Sequence, residues 1–135
     1  MNFLHEDDIA KITLFLQKSL DLFLIVLFGS SVKGSMRNDS DVDIAFFSEQ
    51  DYDSYEVFMV AQELATIIRR DVDLIDLSKV STVMKAQIVS SGRVIYCSDE
   101  LRRMNLFMKI LKDYAVLNEQ RLPVMVKIAE RGLNR

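Results

Sequence analysis

The sequence predicts an α/β domain: a small mixed β-sheet with flanking helices, followed by a helical C-terminal tail. Three observations carry that reading. Residues 22–28 form a continuous apolar run, short for a helix and rich in Leu, Ile, Val and Phe. Further strand-like segments at 41–47, 72–77 and 93–97 alternate with stretches of helical period. The link at 29–40 is short for a parallel crossover yet long for a two-residue hairpin, so the sheet is expected to be mixed.

Each element has its own reason. Ile9, Ile12, Leu16 and Leu20 fall on one helical face, and Glu6, Asp7 and Asp8 suit the positive end of a helix over 6–20. The run 22–28 then reads as a strand buried on both faces. Small and polar residues from Gly29 to Ser40 predict a tight turn, one helical turn and a loop. In the strand 41–47, Asp41, Asp43 and Ala45 share one face, and Val42, Ile44 and Phe46 the other. Val57, Ala61, Leu64 and Ile68 make the stripe of a helix over 52–70, and Arg69-Arg70 reads as its solvated end. Ser78 is expected to cap a helix over 79–90, which Gly92 ends. Beyond the strand 93–97, Leu101, Met104, Met108, Leu111 and Ala115 are spaced 3, 4, 3 and 4, and Pro123 is expected to kink or break the helix near Leu122.

With 135 residues and 50% hydrophobic composition, the chain is expected to be one globular domain, 1–98 forming a core and 99–135 a tail. A net charge of −3 argues against general nucleic-acid binding. The charge is uneven: residues 1–98 hold 9 basic and 15 acidic groups, residues 99–135 hold 8 and 5. No apolar run approaches the ~20 residues of a membrane span. The acidic start is unlike a signal peptide, so a cytoplasmic protein is expected. One His and one Cys exclude a histidine- or thiolate-based metal site, and His5, alone near the terminus, leaves no Ser-His or Cys-His pairing expected for nucleophilic catalysis. Any metal must sit on carboxylates, and Cys97 reads as a small packing residue.

The chemistry concentrates in Gly29-Ser30, ten residues, then Asp41-Val42-Asp43. Gly29 allows a ligand to approach the backbone, and the turn after it offers N–H groups and the Ser30 hydroxyl to phosphate oxygens. Asp41 and Asp43 project from one strand face with Cα atoms about 6.6–6.8 Å apart. Carboxylates that close repel unless cations sit between them, and a Mg²⁺ pair shared with substrate phosphates supplies those cations. The strand 72–77 adds Asp73, flanked by apolar neighbours and therefore expected to be buried. It is assigned as the third metal-side carboxylate or as the base for an attacking hydroxyl, in preference to Asp71 or Asp76.

These residues resemble the signature of the minimal nucleotidyltransferases, small members of the DNA polymerase β-like superfamily. Lys33-Gly34 stands where the family often has Arg-Gly, Ser40 stands where it often has Ser before the first Asp, and Val72–Leu77 resembles the strand of its third Asp. The run 81–83, Gly92 and Tyr114, Leu117 and Arg121 make the chain similar to the MntA-type antitoxins of HEPN–MNT toxin–antitoxin pairs.

The resemblance implies a nucleotidyltransferase fold and a Mg²⁺-dependent enzyme, with two ions and ATP as substrate. It would transfer AMP to a tyrosine of a HEPN ribonuclease toxin with which it forms a hetero-oligomer. Gly29, Ser30, Lys33 and Ser40 would serve the nucleotide, and Asp41, Asp43 and Asp73 the metals. Lys33 keeps the charge of the usual Arg but not its planar fork. Two other readings stay open: an antitoxin acting by binding and occlusion alone, and transfer to a small-molecule acceptor. The tail must bury an apolar stripe against its own domain or a partner, and its part after Pro123 is assigned to docking on the toxin.

Overall fold

A computed structural model describes residues 4–33 and 40–133, except for the side chains of Lys33 and of 121–133. In chain order the elements are α1 (Glu6–Ser19), β1 (Leu24–Phe28), α2 (Ser30–Lys33), β2 (Val42–Phe47), α3 (Ser54–Ile68), β3 (Val72–Asp76), α4 (Thr82–Ser91), β4 (Arg93–Cys97) and α5 (Glu100–Leu133). The four strands lie in the order β3-β2-β1-β4. β1 is antiparallel to both β2 and β4, while β2 and β3 are parallel and joined through α3. The expected mixed sheet is therefore present.

Strand alternation sends the apolar side chains to two opposite cores. Ile25, Leu27, Val42, Ile44, Phe46 and Leu74 pack with α1 and α3, where Ile12, Leu16 and Leu64 are fully buried. Leu24, Val26 and Ala45 pack on the other face with Ala86 and Ile88 of α4 and Ile110 of α5. Helices cover both faces, and this two-sided burial explains why 24–27 can be uniformly apolar. No helix among the described residues is long and apolar enough to cross a membrane.

Several local expectations change. Ser78 does not cap α4. Asp76 caps a short 3-10 turn at Leu77–Lys79, and Ser81 caps α4 by accepting from the Met84 N–H at 3.2 Å. A polar oxygen is favoured at either site, so spacing alone could not choose between two serines three residues apart. Gly92 does end α4, but its backbone is extended instead of left-handed. Its reason is crowding: a Cβ there would lie 2.4 Å from the Ile88 carbonyl oxygen and 2.6 Å from Val26 Cγ1. Left-handed backbone occurs instead at Arg69, which ends α3 with φ 58°. Pro123 does not break α5, which runs through it. Proline removes one backbone donor, and in a helix of 34 residues the bonds on either side remain.

The apolar residues of α5 divide between two faces. The helix packs on its own domain through Leu106, Phe107, Ile110 and Tyr114. Leu101, Met104, Met108 and Leu111, the regularly spaced set, are 68%, 51%, 67% and 45% exposed. The helix therefore has two apolar faces, and the more regular one has no cover within the described chain. Side chains beyond Pro123, assigned to docking, lie outside the described residues.

Candidate active site

The candidate site forms at the end of the sheet where β1 leaves and β2 enters. Gly29 follows Phe28, which stands opposite Asp43 across the antiparallel pair. Gly29 has φ +65°, and a Cβ there would lie 2.2 Å from Asp43 Oδ2. Two constraints therefore converge on glycine: a left-handed backbone and a carboxylate occupying the place of a side chain. The chain then makes α2, a single turn, so phosphate would meet individual N–H groups here and little accumulated helix dipole.

Two serines tie this turn to β2. Ser30 Oγ donates weakly to the Asp41 carbonyl at 3.5 Å. Ser31 is buried, and its Oγ accepts from the Asp43 N–H at 3.3 Å. Sequence reasoning missed Ser31. Its signal was available: three residues separate the apolar end of β1 from Val32, and a serine facing inward there needs a partner. Ser31 holds the turn after Gly29 in register with the strand carrying both carboxylates.

Asp43 and Asp73 are register partners on neighbouring parallel strands. Partners in register project to the same face, so these carboxylates stand side by side on backbones one strand spacing apart, about 4.8 Å. Asp41 lies two residues before Asp43 and joins that face. The three sequence-assigned carboxylates thus share one face, on the α4–α5 side of the sheet. Burial pushes the Asp43 carboxyl above the ordinary carboxylate range, and the charges of Asp73 and Asp41 push it further. Such a group gains most from a cation.

One expectation about Asp73 fails: it is exposed, and Asp76 is the buried carboxylate of β3. Alternation sends Asp76 to the opposite face, towards α3. Its Oδ1 accepts from the Ser78 N–H at 3.0 Å and from Ser78 Oγ at 2.7 Å, while its Oδ2 has no hydrogen-bond partner. Apolar neighbours in sequence misled here because Asp73 lies near the start of the strand, where one face opens to solvent. Asp71 is exposed just before β3.

The oxygen donors fit Mg²⁺, which takes one or two carboxylates and completes its shell with substrate phosphates and water. Among the described residues no three His, Cys, Asp or Glu side chains are already gathered around a single point. Mutual repulsion would oppose such closure without a cation between the carboxylates. Lys33 lies in α2 with its side chain outside the described residues, and Gly34 lies outside them too. Ser40 sits directly before Asp41 and is partly buried. Cys97 packs at the edge of the second core, and burial pushes its thiol up, in keeping with a packing role.

Openings flank the carboxylates on both sides. On the β1 side a cavity of 490 Å³ is lined by Phe28, Gly29, Met84, Gln87, Ile88 and Ser91. On the β3 side a groove of 560 Å³ includes Asp41 and Asp73.

Residues 10–101, which include every one of these site positions, match the Polymerase beta, Nucleotidyltransferase family. The chain belongs to this family. The nucleotidyltransferase is 40% identical over 75 residues to the protein adenylyltransferase MntA of Shewanella oneidensis, a stretch covering 56% of this chain and 54% of that protein. It thus spans about half the length of that relative in the match. Solved structures align over more. A chain in the crystal structure of a toxin–antitoxin complex with AMP-PNP has 30% identity and a TM-score of 0.80, covering 89% of this nucleotidyltransferase and 97% of that chain. A chain from the complex of tri-AMPylated Shewanella oneidensis HEPN toxin with MNT antitoxin has 28% identity and a TM-score of 0.78, covering 93% and 98%.

Proposed function

We propose that the chain is an antitoxin that transfers AMP from ATP to a tyrosine of a cognate HEPN ribonuclease toxin and thereby neutralises it. The observation that carries this is the Asp43–Asp73 pair beside the Gly29 turn. A turn that admits phosphate lies against carboxylates that need cations, which is equipment for in-line attack on a phosphoryl group. The similarity to MntA and to chains of toxin–antitoxin complexes supports the choice of acceptor.

In this reading Gly29 and Ser30 hold the triphosphate, with Lys33 and Ser40 assisting. Asp41, Asp43 and Asp73 hold two Mg²⁺ ions, which would neutralise charge on the phosphates. Asp73, the most exposed end of the pair, takes the proton of the acceptor hydroxyl. ATP supply places the reaction in the cytoplasm. The domain 1–98 does the chemistry, and residues 99–135 dock on the toxin.

The uncovered stripe of α5 at Leu101, Met104, Met108 and Leu111 supports a docking role for the tail before Pro123 as well as after it. The same stripe is what an antitoxin acting by occlusion alone would use. One experiment separates the two readings. The chain is incubated with its cognate HEPN toxin, Mg²⁺ and ATP, and the toxin is weighed. AMP-sized increments that vanish with Asp43→Asn are expected, with activity falling more than ~100-fold, beyond the loss typical of outer-shell changes. A tight complex with no increment sinks the enzymatic reading and leaves occlusion.

A further inference from the structure

The groove on the β3 side has an unusual lining. It includes Val72, Asp73, Leu74, Ile75 and Asp76, five consecutive strand residues. Consecutive residues point to opposite faces, so a groove touching all five runs along the strand's edge. Among the described residues β3 is an edge strand, paired to β2 alone. The Asp71 carbonyl accepts from the Val42 N–H at 2.8 Å and so faces β2. By alternation, the backbone N–H and C=O groups of Val72 and Leu74 face the open side. Val57, Phe58 and Ala61 of α3 make an apolar opposite wall, with Phe58 55% exposed.

Two further observations indicate that the groove receives a ligand. Asp76, 7% exposed, lines it, and its buried Oδ2 has no hydrogen-bond partner among the described residues, so the end of the groove holds an unmet acceptor. The groove also reaches Asp41 and Asp73 and is therefore continuous with the candidate site. Direction follows from the chemistry. In-line displacement places the attacking and leaving oxygens on opposite sides of the phosphorus. In the proposed function the Gly29 turn, on the β1 side, holds the phosphates that leave. The attacking hydroxyl must then come from the β3 side.

We infer that this groove binds an extended segment of the acceptor protein, paired as an added strand to the open edge of β3, and that the segment presents its tyrosine to Asp73. The inference rests on the proposed protein acceptor and specifies how it is held. Main-chain bonds to Val72 and Leu74 give affinity with little demand on sequence, and side chains against Phe58 and Ala61 add selectivity. The tyrosine Oη forms a bond to the α-phosphorus, the bond from that phosphorus to the bridging oxygen breaks, and pyrophosphate leaves. The phenolic proton passes to the Asp73 carboxylate.

The test uses the full chain, its cognate HEPN toxin, ATP and Mg²⁺. Phe58→Glu, at an exposed position, is expected to raise the KM for the toxin roughly tenfold while leaving ATP affinity unchanged. Hydrogen exchange at the Val72 and Leu74 amides is expected to slow when the toxin binds. Unchanged KM in Phe58→Glu, or unchanged exchange at both amides in the saturated complex, overturns the groove assignment while transfer by the wild type continues. Wild-type chain that adds no AMP to the toxin overturns the acceptor reading itself, and the groove assignment with it.

Discussion

The sheet end around Gly29 and the long helix α5 differ in what holds their residues in place. At Gly29 the backbone is left-handed, and the Asp43 carboxylate occupies the position of a Cβ. Ser31 and Asp43 are joined by a hydrogen bond between neighbouring elements. Few residue types satisfy such a site, so its sequence pattern is nearly its structure. On α5 the constraint is only that apolar faces recur. Two faces meet it, one through Phe107 and Ile110 and one through Leu101, Met104, Met108 and Leu111, and only the first lies on the domain. Tight local geometry leaves a readable signature, whereas helical period says that a face is apolar and not what covers it.

That contrast can be broken or sharpened by substitution. Ile110→Ala removes a nearly fully buried side chain and is expected to cost about 2–5 kcal/mol in chemical denaturation. A much smaller loss would mean that α5 does not dock through the face described. Gly29→Ala is expected to cost at least ~1–3 kcal/mol through backbone strain, and to remove transfer activity because the new Cβ displaces Asp43. Retained activity would show that the close approach is dispensable.

Asp43→Asn has the opposite sign. The raised Asp43 carboxyl means that its ionised form is disfavoured in the folded chain relative to the unfolded one. That cost is present above the folded-state value and is relieved as pH falls into the ordinary carboxylate range. Thermal melts of the metal-free protein near neutral pH should therefore show Asp43→Asn above wild type, with the gap narrowing on acidification. Mg²⁺ with ATP should stabilise wild type and not the variant. A gap that widens as pH falls would contradict the electrostatic account.

The smallest effect on stability belongs to the outer face of α5. Met108→Ser and Leu111→Ser are expected to stay within about 0.5 kcal/mol of wild type as isolated chains. Co-purification with the toxin should nevertheless fall in the double variant. Unchanged co-purification would remove this stripe from the interface.

Much of the fold, and the shared face of the candidate site's carboxylates, was legible in the sequence for identifiable reasons. The run 22–28 was apolar because its strand is covered on both faces, and Asp41 and Asp43 broke an apolar strand that would otherwise bury better. What was illegible involved choices among similar residues. Ser78 and Ser81 were equally good caps, and only the 3-10 turn at Leu77–Lys79 separates their roles. Asp73 and Asp76 share one short strand, and which is buried depends on where the strand meets α3 and solvent.

The sequence by itself determined the α/β class, the strand carrying two carboxylates on one face, and the glycine turn before it, because alternation and glycine stereochemistry act locally. Only the tertiary structure decided which strands are neighbours. Parallel pairing placed Asp73 opposite Asp43, strand order left β3 with an open edge, and packing chose one face of α5 over the other. Those outcomes depend on contacts between residues far apart in the chain, where local pattern carries no information about partners.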